Sequence, residues 1–159
     1  MTDDRGATPD QGWTVEVEHR VSGSPDAVFA YFTDPEKHRR WYGFDVELDP
    51  RPGGAYRVMV APQVWARGEY LAVEPPHRLV QTMHALWSED AEREATSRVT
   101  WEIEPVGDSC RLTVIHDQLS DTAPEELYGG WPMILSGLKT WLETGETLTT
   151  PGSLKYGQR

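Results

Sequence analysis

Leu127, Trp131, Ile134, Leu135, Leu138, Trp141 and Leu142 recur three and four residues apart near the C-terminus, which is the spacing of one apolar face on a long helix. A helix with so apolar a face must bury it against something. Upstream, stretches between residues 43 and 117 alternate apolar and polar residues, the period of half-buried strands in a meandering antiparallel sheet. The pattern predicts an α+β fold in which a sheet of about six or seven strands wraps around a long C-terminal helix.

The chain has 159 residues, enough for one full core and too few for two. Residues 13–149 are expected to form it, flanked by polar tails over 1–12 and 150–159. No window approaches the roughly 20 apolar residues of a membrane span, so no membrane span is expected. The opening MTDDRGATPDQG is acidic where a signal peptide is basic, which points to the cytoplasm. The single cysteine, Cys110, has no internal disulfide partner and reads as a packed strand residue. Net charge is −11, from 26 acidic and 15 basic side chains. That balance argues against nucleic acid as a partner, because phosphate backbones need clustered cations. The one basic run, KHRRW at 37–41, reads as a solvated helix end, where cations suit the C-terminal turn.

Local signals divide the domain. Trp13–Val21 alternates as a first strand. Ser24-Pro25 and Asp34-Pro35 each combine a capping side chain with a proline in the first turn. They predict two short helices in tandem, the first burying Val28, Phe29 and Phe32 and the second ending near Trp41. Strands follow over Phe44–Leu48, Ala55–Val60, Trp65–Val73, Arg78–Trp87, Ser97–Glu104 and Arg111–Asp117. Gly68 marks a bulge or a close backbone approach inside its strand. Ser88–Ala95 reads as a charged loop. Asp121–Glu126 carries a cap, a proline and early acids, and predicts a short helical turn, with a break at Gly129-Gly130 before the long helix starts at Trp131. Pro132 forbids helix continuing through it without a start or a kink.

The chain resembles the SRPBCC superfamily, the START-like or helix-grip proteins, and within it the branch named after the activator of the ninety-kilodalton heat-shock protein ATPase. The resemblance lies in SPDAVFAYFTDPEKHRRW, the Arg-Pro-Gly-Gly-Ala-Tyr turn at 51–56, Arg67-Gly68-Glu69-Tyr70, Pro75-Pro76-His77-Arg78-Leu79-Val80, Ser97-Arg98-Val99-Thr100-Trp101, Arg111-Leu112-Thr113-Val114 and Gly130-Trp131. It implies a curved antiparallel sheet, two small helices after the first strand, and an elongated apolar cavity under the C-terminal helix. It also implies a possible chaperone partner, although the chain is expected to lack the N-terminal chaperone-binding domain of the eukaryotic namesake.

Seven tryptophans and six tyrosines supply large walls with polar handles, the usual lining of a small-molecule pocket. The same rings are also compatible with a filled core. Alternation points Tyr56, Val58, Met83, Trp101, Leu112, Val114 and His116 inward from the sheet, with Trp131, Ile134, Leu135 and Leu138 facing back from the helix. Trp41 and Trp65 are placed at the mouth. In the strand at 78–87, both Leu79, Gln81, Met83 and Val80, Thr82, His84 qualify as the inner face. Gln81, His84, His116 and Arg67 are the candidate polar groups for orienting a ligand.

Signatures of catalysis are missing from the sequence: it has no Gly-x-Ser-x-Gly, no His-Glu-x-x-His, no phosphate loop and no paired-cysteine spacing. No catalytic residue, metal or cofactor is therefore assigned. Three readings fit what remains. They are a module that binds a hydrophobic or aromatic small molecule for sensing, carriage or stress response, a cyclase- or aromatase-like enzyme acting in the same cavity, and a chaperone-interacting protein. The binding module requires only the cavity. A monomer or a homodimer is expected, the latter through an open strand edge such as Phe44–Leu48.

Overall fold

The computed structural model describes residues 7–8, 12–42, 44–60 and 62–147. A two-residue strand β1 (Ala7–Thr8) precedes β2 (Gly12–Ser22), followed by helices α1 (Pro25–Thr33) and α2 (Pro35–Tyr42). Strands β3 (Asp45–Leu48), β4 (Ala55–Val60), β5 (Gln63–Glu74) and β6 (Arg78–Ala85) come next. After them run α3 (Glu89–Arg93), β7 (Ser97–Val106), β8 (Ser109–Leu119), a 3-10 turn over Glu125–Leu127 and α4 (Trp131–Thr144). Of the expected N-terminal tail, only Ala7, Thr8 and Gly12 are among the described residues, and the tail expected over 150–159 lies wholly outside them.

The strands form one antiparallel sheet in the order β1-β2-β8-β7-β6-β5-β4-β3. The first long strand thus lies beside the last, and α1 and α2 carry the chain from one side of the sheet to the far edge. Both helices start as their sequences require. Ser24 Oγ accepts the Ala27 N–H at 3.3 Å, and Asp34 Oδ1 accepts the Glu36 N–H at 2.9 Å. Val28, Phe29 and Phe32 form the buried face of α1.

α4 begins at the Gly129-Gly130 break, with Pro132 in its first turn, where a missing N–H removes no helical bond. It ends at Gly145, whose φ of 72° closes the helix in the left-handed region that glycine enters without strain. α4 lies against β2 and α2. Ser136 Oγ meets His19 Nε2 at 3.1 Å, and Lys139 Nζ donates to the Arg20 carbonyl at 3.1 Å. Beneath it Leu135 and Leu138 are fully buried, as are Leu112 and Val114 of β8 and Val28 of α1.

One expected loop is a helix. Ser88–Ala95 contains α3, because Ser88 Oγ caps the Ala91 N–H at 3.1 Å, Glu89 and Asp90 occupy the positive end, and Arg93 closes the last turn. Ala91 is its buried anchor. No described helix is long and apolar enough to cross a membrane.

Candidate functional site

α4 covers the β2 side of the sheet, and the far limb, β3 to β5, curls up beyond its reach. Between them lies a cavity of about 330 Å3, at the small end of the range for ligand pockets.

Its wall is a nearly unbroken succession of aromatic rings. Trp87 neighbours Trp65 at 6.3 Å between centroids, Trp65 neighbours Phe44 at 5.5 Å, and Phe44 neighbours Tyr42 at 5.2 Å. Tyr42 meets Trp41 at 5.2 Å, Trp41 meets Phe32 at 5.7 Å, Phe32 meets Trp101 at 4.6 Å, and Trp101 meets Trp131 at 5.4 Å. All of these contacts are edge-on or tilted, the geometry that ring quadrupoles favour. All eight rings line the cavity.

Several small devices hold this wall. Trp41 Nε1 donates to the Tyr31 carbonyl at 3.1 Å. The Tyr56 hydroxyl donates to the Thr82 carbonyl at 2.7 Å. The Tyr56 ring fits because its cross-strand neighbour is Gly68, where a Cβ would stand 2.1 Å from the Thr82 carbonyl oxygen and 2.7 Å from the Tyr56 ring. Trp131 Nε1 donates to His116 Nδ1 at 3.1 Å, and His116 Nε2 lies 2.7 Å from Ser97 Oγ, which itself reaches the Met83 carbonyl at 3.3 Å. Trp131 fixes the tautomer of His116: Nδ1 accepts, so Nε2 carries the proton and donates to Ser97. Burial holds His116 at a pKa of about 4, so the ring is neutral at physiological pH.

Of the residues expected inward, Tyr56, Val58, Met83, Trp101, Trp131 and Ile134 line the cavity, together with Trp41, Trp65 and Gln81. Leu112, Val114, His116, Leu135 and Leu138 face inward but do not line it. They sit where α4 closes on the sheet, and all five have no solvent-accessible surface. His116 therefore positions Trp131 and does not face a guest. Arg67 and His84 are cross-strand partners away from the cavity, and His84 Nε2 meets the Glu92 carbonyl of α3 at 2.9 Å. In β6, Gln81 and Met83 form the cavity face.

Residues unassigned from the sequence complete the lining, among them Tyr42, Phe44, Tyr70, Trp87, Glu126 and His38. Phe44, Tyr70 and Trp87 have the right residue type, but no period distinguishes them. Glu126 sits at the rim, where it accepts a hydrogen bond from Ser88 Oγ. His38 belongs to the run that reads as solvated. The residue is half-buried, yet its Nδ1 is sealed from solvent and has no hydrogen-bond partner. Desolvation, aided by nearby Arg39, brings its pKa down to about 4. Burial also pushes the Tyr42 hydroxyl up to about 12 and raises Tyr56 and Tyr70 as well. Among the described residues no Lys or Arg lines the cavity. Among the described residues no group of three or more His, Cys, Asp or Glu is placed to hold a metal ion.

Solved structures share this architecture. CalU16 from Micromonospora echinospora is 26% identical, with a TM-score of 0.69 over 91% of this chain and 81% of its own. DynU16, a protein of the dynemicin biosynthetic locus, is 25% identical with a TM-score of 0.70 over 84% of this chain, which spans only 48% of DynU16. PFC0360w, an Hsp90 activator from Plasmodium falciparum, is 22% identical with a TM-score of 0.69 over 83% of this chain and 97% of its own. No curated protein matches this chain. The family described as activator of Hsp90 ATPase homolog 1-like protein matches residues 22–143, most of the domain, and the chain belongs to that family.

Proposed function

We propose that this protein is a binding module that encloses a small, largely apolar aromatic molecule between the β3–β5 limb of the sheet and the N-terminal turn of α4. The observation that carries the reading is the aromatic cavity itself. Five of the seven tryptophans line an open space, although the neighbouring end of the same interior is filled. A chain selected only for stability would close that space, since packed interiors leave few voids larger than a water molecule. DynU16 belongs to a biosynthetic locus, which lends support to small-molecule handling over a chaperone role. The resemblance to PFC0360w extends to the fold alone.

The test is a comparison of the protein with Ile134→Trp, which fills the cavity from α4. Native mass spectrometry of freshly purified protein is expected to show a guest, or to show retention of added naphthalene. The filled variant is expected to fold and lose both. A bare chain that retains no naphthalene would contradict the reading.

A further inference from the structure

Taking the cavity as a ligand site, we propose that its guest is an aromatic amine whose ammonium group is held at the mouth by the carboxylate of Glu126. Of the described lining residues Glu126 alone is exposed and Glu126 alone is acidic, so the one carboxylate of the site stands where the cavity meets solvent. Its position is fixed. The Ala91 N–H donates to Ser88 Oγ at 3.1 Å, and Ser88 Oγ donates in turn to Glu126, so the cap that starts α3 also holds the acid across the mouth. A carboxylate accepts about four hydrogen bonds, and the bond from Ser88 leaves capacity for an ammonium. Trp87 precedes Ser88 in the chain and lines the cavity with Trp65, 6.3 Å away between centroids, and indole rings attract cations.

The surroundings favour the same sign of guest. The two segments that meet at the mouth, residues 88–94 and 120–130, are joined a second time where Ser120 Oγ donates to Glu94 Oε1 at 2.6 Å. Together they carry seven acidic side chains and one basic one, Arg93, which is more than half of the chain's net charge of −11. Arg93 is itself paired with Asp90 at 3.1 Å and with Glu89 at 3.4 Å. A mouth of one sign of charge draws in the opposite sign and repels its own. The N-terminal end of α4 borders the cavity at Gly130 with about half a positive charge, which these carboxylates outweigh. Deeper in, no fixed charge competes for the guest: burial keeps His38 neutral at physiological pH, and the described lining holds no Lys or Arg. The apolar body of the amine therefore lies among the rings, and its charge stays at Glu126.

Calorimetric titration with 2-naphthylmethylamine, its neutral isostere 2-naphthylmethanol and the anion 2-naphthoate tests this directly. The amine is expected to bind about fivefold more tightly than the alcohol, the upper end for an ion pair open to solvent, and naphthoate most weakly. The advantage of the amine is expected to shrink in about 1 M salt, where charges are screened within about 3 Å. Glu126→Gln, which keeps an acceptor for Ser88, is expected to bring the amine down to the level of the alcohol. Glu125→Gln removes the same charge from a residue outside the lining and is expected to keep most of the preference, and circular dichroism checks that both variants fold. An amine that binds no better than the alcohol, a preference for naphthoate, an undiminished preference in folded Glu126→Gln, or an equal loss in the two variants would each overturn the role of Glu126 and leave the cavity reading intact. Failure of every probe to bind would overturn both.

Discussion

The interior has two ends built from the same kinds of residue, and they behave differently. At one end Leu112 and Val114 of β8 meet Leu135 and Leu138 of α4, and all four are inaccessible to solvent. At the other, Tyr56 and Val58 of β4, Gln81 and Met83 of β6 and Ile134 of α4 face an open space. Ile134 and Leu135 are adjacent in sequence and belong to different ends. The difference comes from where α4 lies: it packs along β2 and against α2 and leaves the far limb of the sheet uncovered. Aromatic rings span the resulting gap by touching edge to edge, which builds a wall without filling the volume behind it.

The largest expected effect separates these ends by stability. Leu135→Ala is expected to cost about 2 to 5 kcal/mol, the range for truncating a packed core leucine, whereas Ile134→Ala, whose side chain already faces a void, is expected to cost about 1 kcal/mol or less. Urea denaturation of both variants checks this, and equal losses would break the distinction.

Acid sharpens it, because each end holds one histidine with a pKa of about 4 against an ordinary 6.5. Above 6.5 both rings are neutral whether the chain is folded or not. Between 6.5 and 4 the unfolded chain binds protons that the folded one excludes, so stability falls as pH drops through that window and the loss levels off below it. Each ring accounts for on the order of 3 kcal/mol at full effect. His38→Gln and His116→Gln should each flatten their own share of the decline between pH 7.5 and 4.5 in urea midpoints. A decline unchanged in both variants would show that neither ring is held neutral by burial.

A smaller effect tests the floor of the cavity. Gly68→Ala places a methyl against the Thr82 carbonyl and the Tyr56 ring, and is expected to cost roughly 1 to 3 kcal/mol by overpacking. It should also weaken naphthalene binding, because the Tyr56 ring forms part of the wall. A variant with wild-type stability and affinity would mean that the strand has room there.

Much of the frame was legible because its signals are local. Ser24-Pro25, Asp34-Pro35 and Gly129-Gly130 state where helices begin, and the turn at Gly107 joins two strands whose alternation alone places Leu112 and Trp101 inward. The cavity was legible only in part. Period two separates inner from outer faces but carries no information on depth, so Leu112 and Val58 look alike although one meets α4 and the other meets space. β6 resisted because Leu79 and Val80 are both buried, leaving no polar face to break the tie. His38 was hidden by its neighbours: Lys37, Arg39 and Arg40 make the segment read as solvated, and only the docking of α2 against α4 and β3 turns that one ring inward. α3 was missed because its acidic first turn resembles a loop unless Ser88 is read as its cap.

The most direct test of an interior open at one end and filled at the other is a crystal structure under xenon pressure, because xenon enters dry apolar cavities. Xenon is expected among Val58, Met83, Trp101 and Ile134 and absent from the layer of Leu112, Leu135 and Leu138. Side chains collapsed into the space beside Ile134, with no xenon bound, would contradict the account.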